Sequence, residues 1–488
     1  MNLVGLDSYA QNDLEGFGTA SQGEMSDLNK ALSAGSVSGG STVDSLTASG
    51  APLKVESLEK SLRIYTFKEN DIKFYRATKT LPAYNTVEEY NRLESYGSDV
   101  GGFMAEGALP TTEDSIYSRR TQIVKFMGVT REVTHPMTLV KTNVGDQIER
   151  ETKNGTNWIL RKMNKSMFTG DANTVPLSFN GIFQQSREGY STDLTYSDSE
   201  YVIDLRGSTL DEETLEESCR IVSDNFGSVD TLFCPPIALS NFVKTFYGNL
   251  RQLSPVNADS VVGRRITKFQ SQYGEIDLNF DKFLNKRASK TSTSAADANG
   301  ANGTFTMDAT NPILSPADAT SKFAAADAGD YFYALTAFNA GGETALDDVS
   351  STIHTVASGD RVDLKFTYAD GSRVATGFRV YRSNEGAASV AAATFYPIFD
   401  VSVAEHAAGY NGASALQIGD LSIFMPNTDR AIMYENDEEI FAVKQLAPLM
   451  KMNLAVVQTS MRFMVLLYST PILYQPKKVI NIINIGLL

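Results

Sequence analysis

The chain has 488 residues, of which 42% are hydrophobic and 21% charged, a balance that suits a large globular core and excludes a disordered chain. Its 58 acidic and 43 basic residues leave a net charge of -15, which argues against binding nucleic acid through the overall field. Its two cysteines, Cys219 and Cys234, form no CxxC pattern and read as reduced, buried thiols.

Residues 1–50 are rich in Ser, Gly and Ala, with Met25 to Leu32 as the one short amphipathic piece. This composition buries too little apolar surface to fold alone and predicts an arm. The start of the sequence has neither the basic region nor the apolar core of a secretory signal, and no run reaches the ~18 apolar residues of a membrane span. A protein made and used inside a cell, without a membrane partner, is expected. Between Lys54 and Val87, Leu58, Leu62 and Ile64 predict a short helix running into a strand. Ile72, Phe74 and Tyr75 predict an extended piece ended near Pro82.

Residues 88–135 predict one long β-hairpin. Its arms are EEYNRLESYG and YSRRTQIVKFMGVTREVT, and its tip is GGFMAEGALPTTED. A hairpin this long with so few large apolar residues cannot stand alone in water and must lie on another surface. Arg119, Arg120, Lys125 and Arg131 balance Glu88, Glu89 and Glu94 across it.

Thr142 to Asp171 predicts a long amphipathic helix. Val144, Ile148, Thr152, Ile159, Met163 and Met167 share one phase, and Gly170 is the stop signal. Beyond it, SFNGIFQQS (178–186) predicts a turn into a strand. Thr209 to Glu212 matches a capping box for a helix reaching Phe226, with Leu215, Cys219, Val222 and Phe226 inward. DTLFCPP predicts a buried strand ended by proline. A helix from Ala238 to Gly248 with Leu239, Phe242, Val243 and Phe246 inward comes next, and then two strands between Val261 and Phe280 joined at Tyr273-Gly274. This alternation indicates a mixed α and β layer.

Composition shifts at Lys290. TSTSAADANGANGTFTMDAT reads as a linker, and from about Pro312 to Gly409 the pattern is all β, with strands at 330–344, 362–366 and 377–383. An inserted sandwich of immunoglobulin type is expected. From Asp420 the earlier style returns, with an apolar strand through Met461–Tyr468.

Material for chemistry is scarce. The three histidines, His135, His354 and His406, are scattered, and no HExxH, Walker A or GxGxxG motif occurs. Acidic clusters such as Glu212-Glu213 and Glu216-Glu217 read as a solvated helix face. The expectation is a protein that is not an enzyme, with no catalytic residue, no metal and no cofactor.

The order of pieces carries more. A Gly/Ser arm, a hairpin tipped by GGFMAEGALPTTED, a spine helix ending in MFTGD, the FNGIF turn and TLDEETLEESCRIVSDNFGSVDTLFCPP together resemble the HK97-type major capsid proteins of tailed bacteriophages. The closing run from QLAPLMKMNLAVVQTS to VINIINI is similar to that family's last strands. YFYALTAFNAGGET and GFRVYRS resemble fibronectin-III or bacterial Ig-like modules, in reversed order. The resemblance implies an α+β, HK97-like capsid fold with an inserted all-β Ig-like sandwich. It implies an N-terminal arm (1–85), an E-loop hairpin (86–135), a P-domain spine helix (136–175) and A- and P-domain elements (176–289). The sandwich (290–415) and a return to the A and P domains (416–488) complete the expected order.

The implied function is self-assembly into hexamers and pentamers of an icosahedral head enclosing double-stranded DNA, held by enclosure rather than specific binding. Portal, scaffolding or decoration proteins are the other implied partners, and the protein would assemble in the host cytoplasm. An encapsulin-like nanocompartment shell and an Ig-containing adhesive or carbohydrate-binding protein are the alternatives. The candidate inter-subunit contacts are Arg119 and Arg120 of the hairpin, meeting Glu149 or Glu151 on the spine of an adjacent subunit.

Overall fold

The computed structural model describes residues 66–98, 102–109, 112–140, 145–187, 201–250, 266–284, 289–307, 313–348, 354–403, 416–455 and 458–486. Contacts divide the chain into two units, Met1–Arg63 with Lys141–Gly145 and Ile64–Val140 with Asp146–Leu488, and every element below belongs to the second. The amphipathic pieces expected near Met25 and Leu58, Val144 of the helical stripe and the Phe246 side chain lie outside the described residues.

The long helix spans Gln147–Thr169, about 35 Å at 1.5 Å per residue. Asp146 caps it by accepting the Ile148 amide at 2.9 Å. Gly155, Ile159, Met163 and Met167, four residues apart, form the buried face together with Asn164 and Phe168. They pack on a four-stranded sheet in the order Thr80–Pro82, Phe441–Asn453, Ser460–Leu473, Lys125–Thr134. Gly155 lets the helix sit close to that sheet: a Cβ there would stand 3.2 Å from Val465 Cγ2.

Phe74 joins this layer to the next. It stacks on Phe168 at 4.1 Å and on Phe441 at 5.6 Å, and meets Phe233 edge-on at 5.1 Å. Its segment forms a helical turn, Phe74–Ala77, in place of the expected extended piece. Asn164 and Asp281 draw the backbone in, accepting the amides of Tyr75 at 2.9 Å and Phe74 at 3.3 Å.

The second layer is a six-stranded mixed sheet in the order Val202–Asp204, Val479–Ile485, Asp429–Tyr434, Thr231–Cys234, Gly274–Phe280, Lys268–Ser271. Helices Glu212–Asp224 and Pro236–Leu250 cover one face through Leu215, Cys219, Val222, Ala238 and Phe242. Strand Thr231–Cys234 is buried throughout because Phe233 turns toward the spine-helix core, whereas Leu232 and Cys234 turn toward these helices.

Three local expectations give way to backbone chemistry. The Glu212 helix is capped by Asp211, which accepts the Thr214 amide at 2.9 Å, so the capping box at Thr209 does not form. The helix ends at Asp224, and Phe226 adopts a left-handed backbone (φ 60°) that swings its ring out to 96% exposure. SFNGIFQQS forms helix Ile182–Arg187 rather than a strand. Its start is fixed where the Gly181 amide donates to the Gly170 carbonyl at 2.8 Å, an approach that a Cβ on either glycine would block.

The segment after Phe280 builds two larger antiparallel sheets around a shared core, to which the short antiparallel pair Gly329–Tyr331 and His354–Val356 adds Tyr331 and Val356. One contains Thr304–Met307, Ile313–Ser315, Arg361–Ala369 and Leu416–Asp420. The other runs Gly342–Glu343, Tyr333–Asn339, Gly377–Ser383, Phe395–Ser402, with Asp347–Asp348 also on Tyr333–Asn339. Leu364, Phe366 and Tyr368 face Leu335, Ala337, Phe378 and Val380. Tyr333–Asn339 is not half-exposed as its alternation suggests. Ala334 is covered on the outer face by a second cluster with Phe332, Tyr381 and Phe395. The expected linker is part of this unit: Lys290 exchanges two backbone bonds with Phe395, and Thr304–Met307 is a strand. At the far end Leu416–Asp420 pairs with Arg361–Ala369, so the all-β unit reaches Asp420.

The chain leaves this unit through a clasp. Asp420 accepts Arg382 Nη1 at 2.7 Å, the Tyr333 hydroxyl at 2.9 Å and the Ser422 amide at 2.8 Å. From the six-stranded layer Arg206 donates to the Ser422 carbonyl at 2.7 Å, to the Lys322 carbonyl and to Asp327.

Candidate assembly surface

The hairpin is shorter than the sequence suggests. Val87–Ser95 pairs with Ile116–Ile123, and then buried Val124 turns the chain so that Lys125–Thr134 leaves to pair with Ser460–Leu473. The second expected arm is thus two strands in two sheets. The hairpin is rooted on the Leu473 carbonyl, which accepts Arg92 Nη2 at 2.8 Å and the Tyr90 hydroxyl at 3.4 Å, and Tyr90 packs on Tyr474.

Strand alternation sorts its side chains. Register pairs Val87 with Ile123, Asn91 with Arg119 and Leu93 with Tyr117 on one face. Glu88, Tyr90 and Arg92 pair with Gln122, Arg120 and Ser118 on the face that carries the root. The first face is exposed along its length: Tyr117 is 70% and Ile123 55% accessible, and at the tip Phe103 and Leu109 are almost fully so. Eleven of the 21 large apolar side chains exposed among the described residues fall between Tyr84 and Phe126. Such a concentration marks an interaction surface rather than scattered surface hydrophobes.

The predicted contact residues are placed as follows. Arg119 lies on the outward face, 3.4 Å from Glu89, with its Nε donating to Asn91 at 3.3 Å. Arg120 points to the opposite face, so the two arginines cannot meet one flat partner together. Glu151 stands 3.7 Å from Arg131 and accepts Asn154 at 3.0 Å. Glu149 is exposed and borders an open cleft of about 470 Å³ formed with Glu69, Asp146, Lys153 and Lys451. Among the described residues neither arginine meets Glu149 or Glu151 within the chain. The outward apolar residues were missed by sequence reasoning, although their two-residue period was the signal.

Further along the spine helix, Arg161, Lys162 and Lys165 share the solvent side. Partial desolvation, then Lys162, Arg379 and Arg161 beside it, hold the Lys165 ammonium below the usual lysine range, while Glu343 of the all-β unit works against that shift. Arg161 lies 5.1 Å from the Phe67 ring, and none of the three has a carboxylate partner within 4.0 Å among the described residues. No group of three His, Cys, Asp or Glu side chains among the described residues is arranged to hold a metal. None of their helices is long and apolar enough to cross a membrane.

The family model described as SU10 major capsid protein matches residues 45–322, more than half of the chain. The major capsid protein of Staphylococcus phage K is 23% identical over 463 residues, covering 91% of this chain and 92% of that protein. The putative major capsid protein of Enterococcus phage phiEF24C is 22% identical over 458 residues, with the same coverage. Among solved structures, the capsid of an empty GTA particle is 8% identical with a TM-score of 0.44, over 90% of this chain and 98% of that one. The holo-SrpI encapsulin complex from Synechococcus elongatus PCC 7942 is 7% identical with a TM-score of 0.44, over 89% and 94%.

Proposed function

The chain belongs to the SU10 major capsid protein family, and from that premise we propose how it builds the shell of a phage head. Copies assemble into hexamers and pentamers of an icosahedral capsid that holds double-stranded DNA by enclosure. The work is structural, with no reaction catalysed. In this reading the spine helix and its four-stranded sheet are the P domain of an HK97-like fold, the six-stranded layer is the A domain, and the hairpin is the E-loop. The all-β unit is an inserted Ig-like module, and the arm ends before Phe74, which together with Thr80–Pro82 is built into the two layers rather than the arm. Assembly takes place in the host cytoplasm, with portal, scaffolding or decoration proteins as further partners.

The observation that carries the proposal is the hairpin's outward face. A two-stranded ribbon with this much exposed apolar surface is marginal alone and gains stability only against a second surface. In a shell that surface is the neighbouring copy, and obligate interfaces of ~2,000–5,000 Å² are large enough to order it. Arg119, already on that face, meets a carboxylate of the adjacent spine, Glu149 or Glu151; Arg120 serves a contact on the other side. Charge reversal at Arg119 plus Arg120 should lower the yield of sedimenting shells, with Arg119→Glu the more damaging single change. Unchanged shell yield and heat resistance in the double variant would refute the contact.

A further inference from the structure

Six residues other than glycine hold a left-handed backbone among the described residues, and four of them meet where the all-β unit joins the six-stranded layer. They are Arg206 (φ 46°), Ser422 and Asn427 (both φ 56°) and Asn484 (φ 55°). Asn adopts this conformation readily, whereas Arg and Ser do so at a cost that surrounding contacts must offset. Asn484 ties the joint together. Its Nδ2 donates to Asp204 at 2.7 Å and to the Ile423 carbonyl at 2.8 Å, its Oδ1 accepts the Met425 amide at 2.8 Å, and its carbonyl accepts the Gly207 amide at 2.9 Å. Asn427 lies in the turn that Thr428 closes on the Met425 carbonyl at 2.7 Å.

Ser422 is buried between two arginines. Its Oγ accepts Arg382 of the all-β unit at 3.3 Å, and its carbonyl accepts Arg206 of the layer at 2.7 Å. Arg206 spreads the rest of its guanidinium over the Lys322 carbonyl and Asp327, both in the all-β unit. Three acceptors around one planar fork fix an angle. The apolar contact at the joint cannot do that. Phe424 packs against the all-β core and against Val202 and Ile483 of the layer, with the Arg430 guanidinium 3.7 Å from its ring centre. Apolar burial is non-directional, so this ring supplies adhesion without orientation.

We infer that Arg206 is a latch and that residues 421–428 are the hinge it closes. Latched, the folded all-β unit is held at one angle to the six-stranded layer. Released, it swings about Phe424 with both folds intact, and the left-handed backbone at Ser422 is free to relax. The latch is internal to one chain, so it stands whether or not copies assemble. In a shell it gives every copy of the unit the same pose.

Hydrogen exchange on full-length Arg206→Asn tests it. Asn keeps the left-handed backbone and removes the fork. Amides in 203–208, 320–327 and 421–428 should exchange about tenfold faster than in the wild type, while Tyr333–Asn339 and Asp429–Tyr434 keep wild-type protection. In electron-microscopy averages of the same variant, density for the all-β unit should weaken while the six-stranded layer stays sharp. Arg206→Lys, with one nitrogen for three acceptors, should fall between. Should Arg206→Asn fold poorly, Asp327→Asn keeps an oxygen for the Ala324 amide but removes the charge that Arg206 grips, and the same pattern is expected at smaller size. Unchanged exchange at the joint, or an all-β unit as sharp as the layer, would overturn the latch. The side of the unit that carries Arg379 and Glu343 near Lys165 of the spine helix would then be what holds it. Equal loosening of both strand cores would overturn it too, because Arg206 would then be packing within one folded whole.

Discussion

Replacing Asp420 by Ala should strand a cation in the core of the all-β unit. Arg382 and Asp420 are each 1% exposed at the side chain, and Arg382 Nη1 stands 2.7 Å from the carboxylate. Without Asp420, Arg382 keeps Ser422 Oγ at 3.3 Å, the neighbouring Tyr333 hydroxyl and the rings of Phe323 and Tyr331, each 5.0 Å away, and no carboxylate among the described residues. The Tyr333 hydroxyl and the Ser422 amide also lose their acceptor. Removing one partner of a buried pair typically costs ~3–5 kcal/mol, because the other charge stays desolvated. Arg382→Met should cost a similar amount by stranding the carboxylate. Arg382→Met with Asp420→Ala should cost ~2–3 kcal/mol less than the sum, since neither charge is then left alone. Urea unfolding, with hydrogen exchange at Tyr333–Asn339 to localise the loss, measures all three variants. Additive effects, or single changes costing under ~1 kcal/mol, would refute the view that this pair holds the exit of the unit.

Two further outcomes follow from local chemistry. Asp211→Ala should destabilise the Glu212–Asp224 helix by ~0.5–2 kcal/mol whereas Thr209→Ala changes little, and equal effects in thermal unfolding would return the cap to Thr209. Burial pushes the Cys234 thiol from its usual 9.0 up to about 12. Its contribution to stability is therefore complete below pH 9 and is lost as pH rises toward 12, because only the unfolded thiol ionises in that window. Urea midpoints should fall between about pH 8 and about pH 10.5, and less steeply in Cys234→Ala; equal slopes would contradict the assignment.

Much of this fold is legible in the sequence wherever one periodicity acts alone. The four-residue spacing of Ile159, Met163 and Met167 marks the helix and its buried face. The run TLFC before two prolines marks a strand buried on both sides. Legibility fails where tertiary contacts choose between local options. YSRRTQIVKFMGVTREVT reads as one strand, but burial of Val124 and pairing with Ser460–Leu473 break it in two. FNGIFQQS carries strand-like residues, yet the Gly170–Gly181 contact starts a helix. Its Gln185 then serves the Pro471 carbonyl and the Leu473 amide, partners 286 and 288 residues away. The Arg206–Asp327 and Arg382–Asp420 clasp joins residues 121 and 38 positions apart and leaves no sequence signal. Of the candidate contact residues, strand periodicity was enough to separate Arg119 from Arg120, and only the register showed which of them faces outward with Tyr117 and Ile123.

On the proposed function, this chain closes into a shell of its own copies. Electron microscopy of the purified, expressed full-length protein tests it most directly. Closed particles, or rings of five and six subunits with the hairpin lying on the adjacent copy, are the predicted result. A protein that stays monomeric across concentration, salt and pH, with its hairpin free in solution, would contradict it.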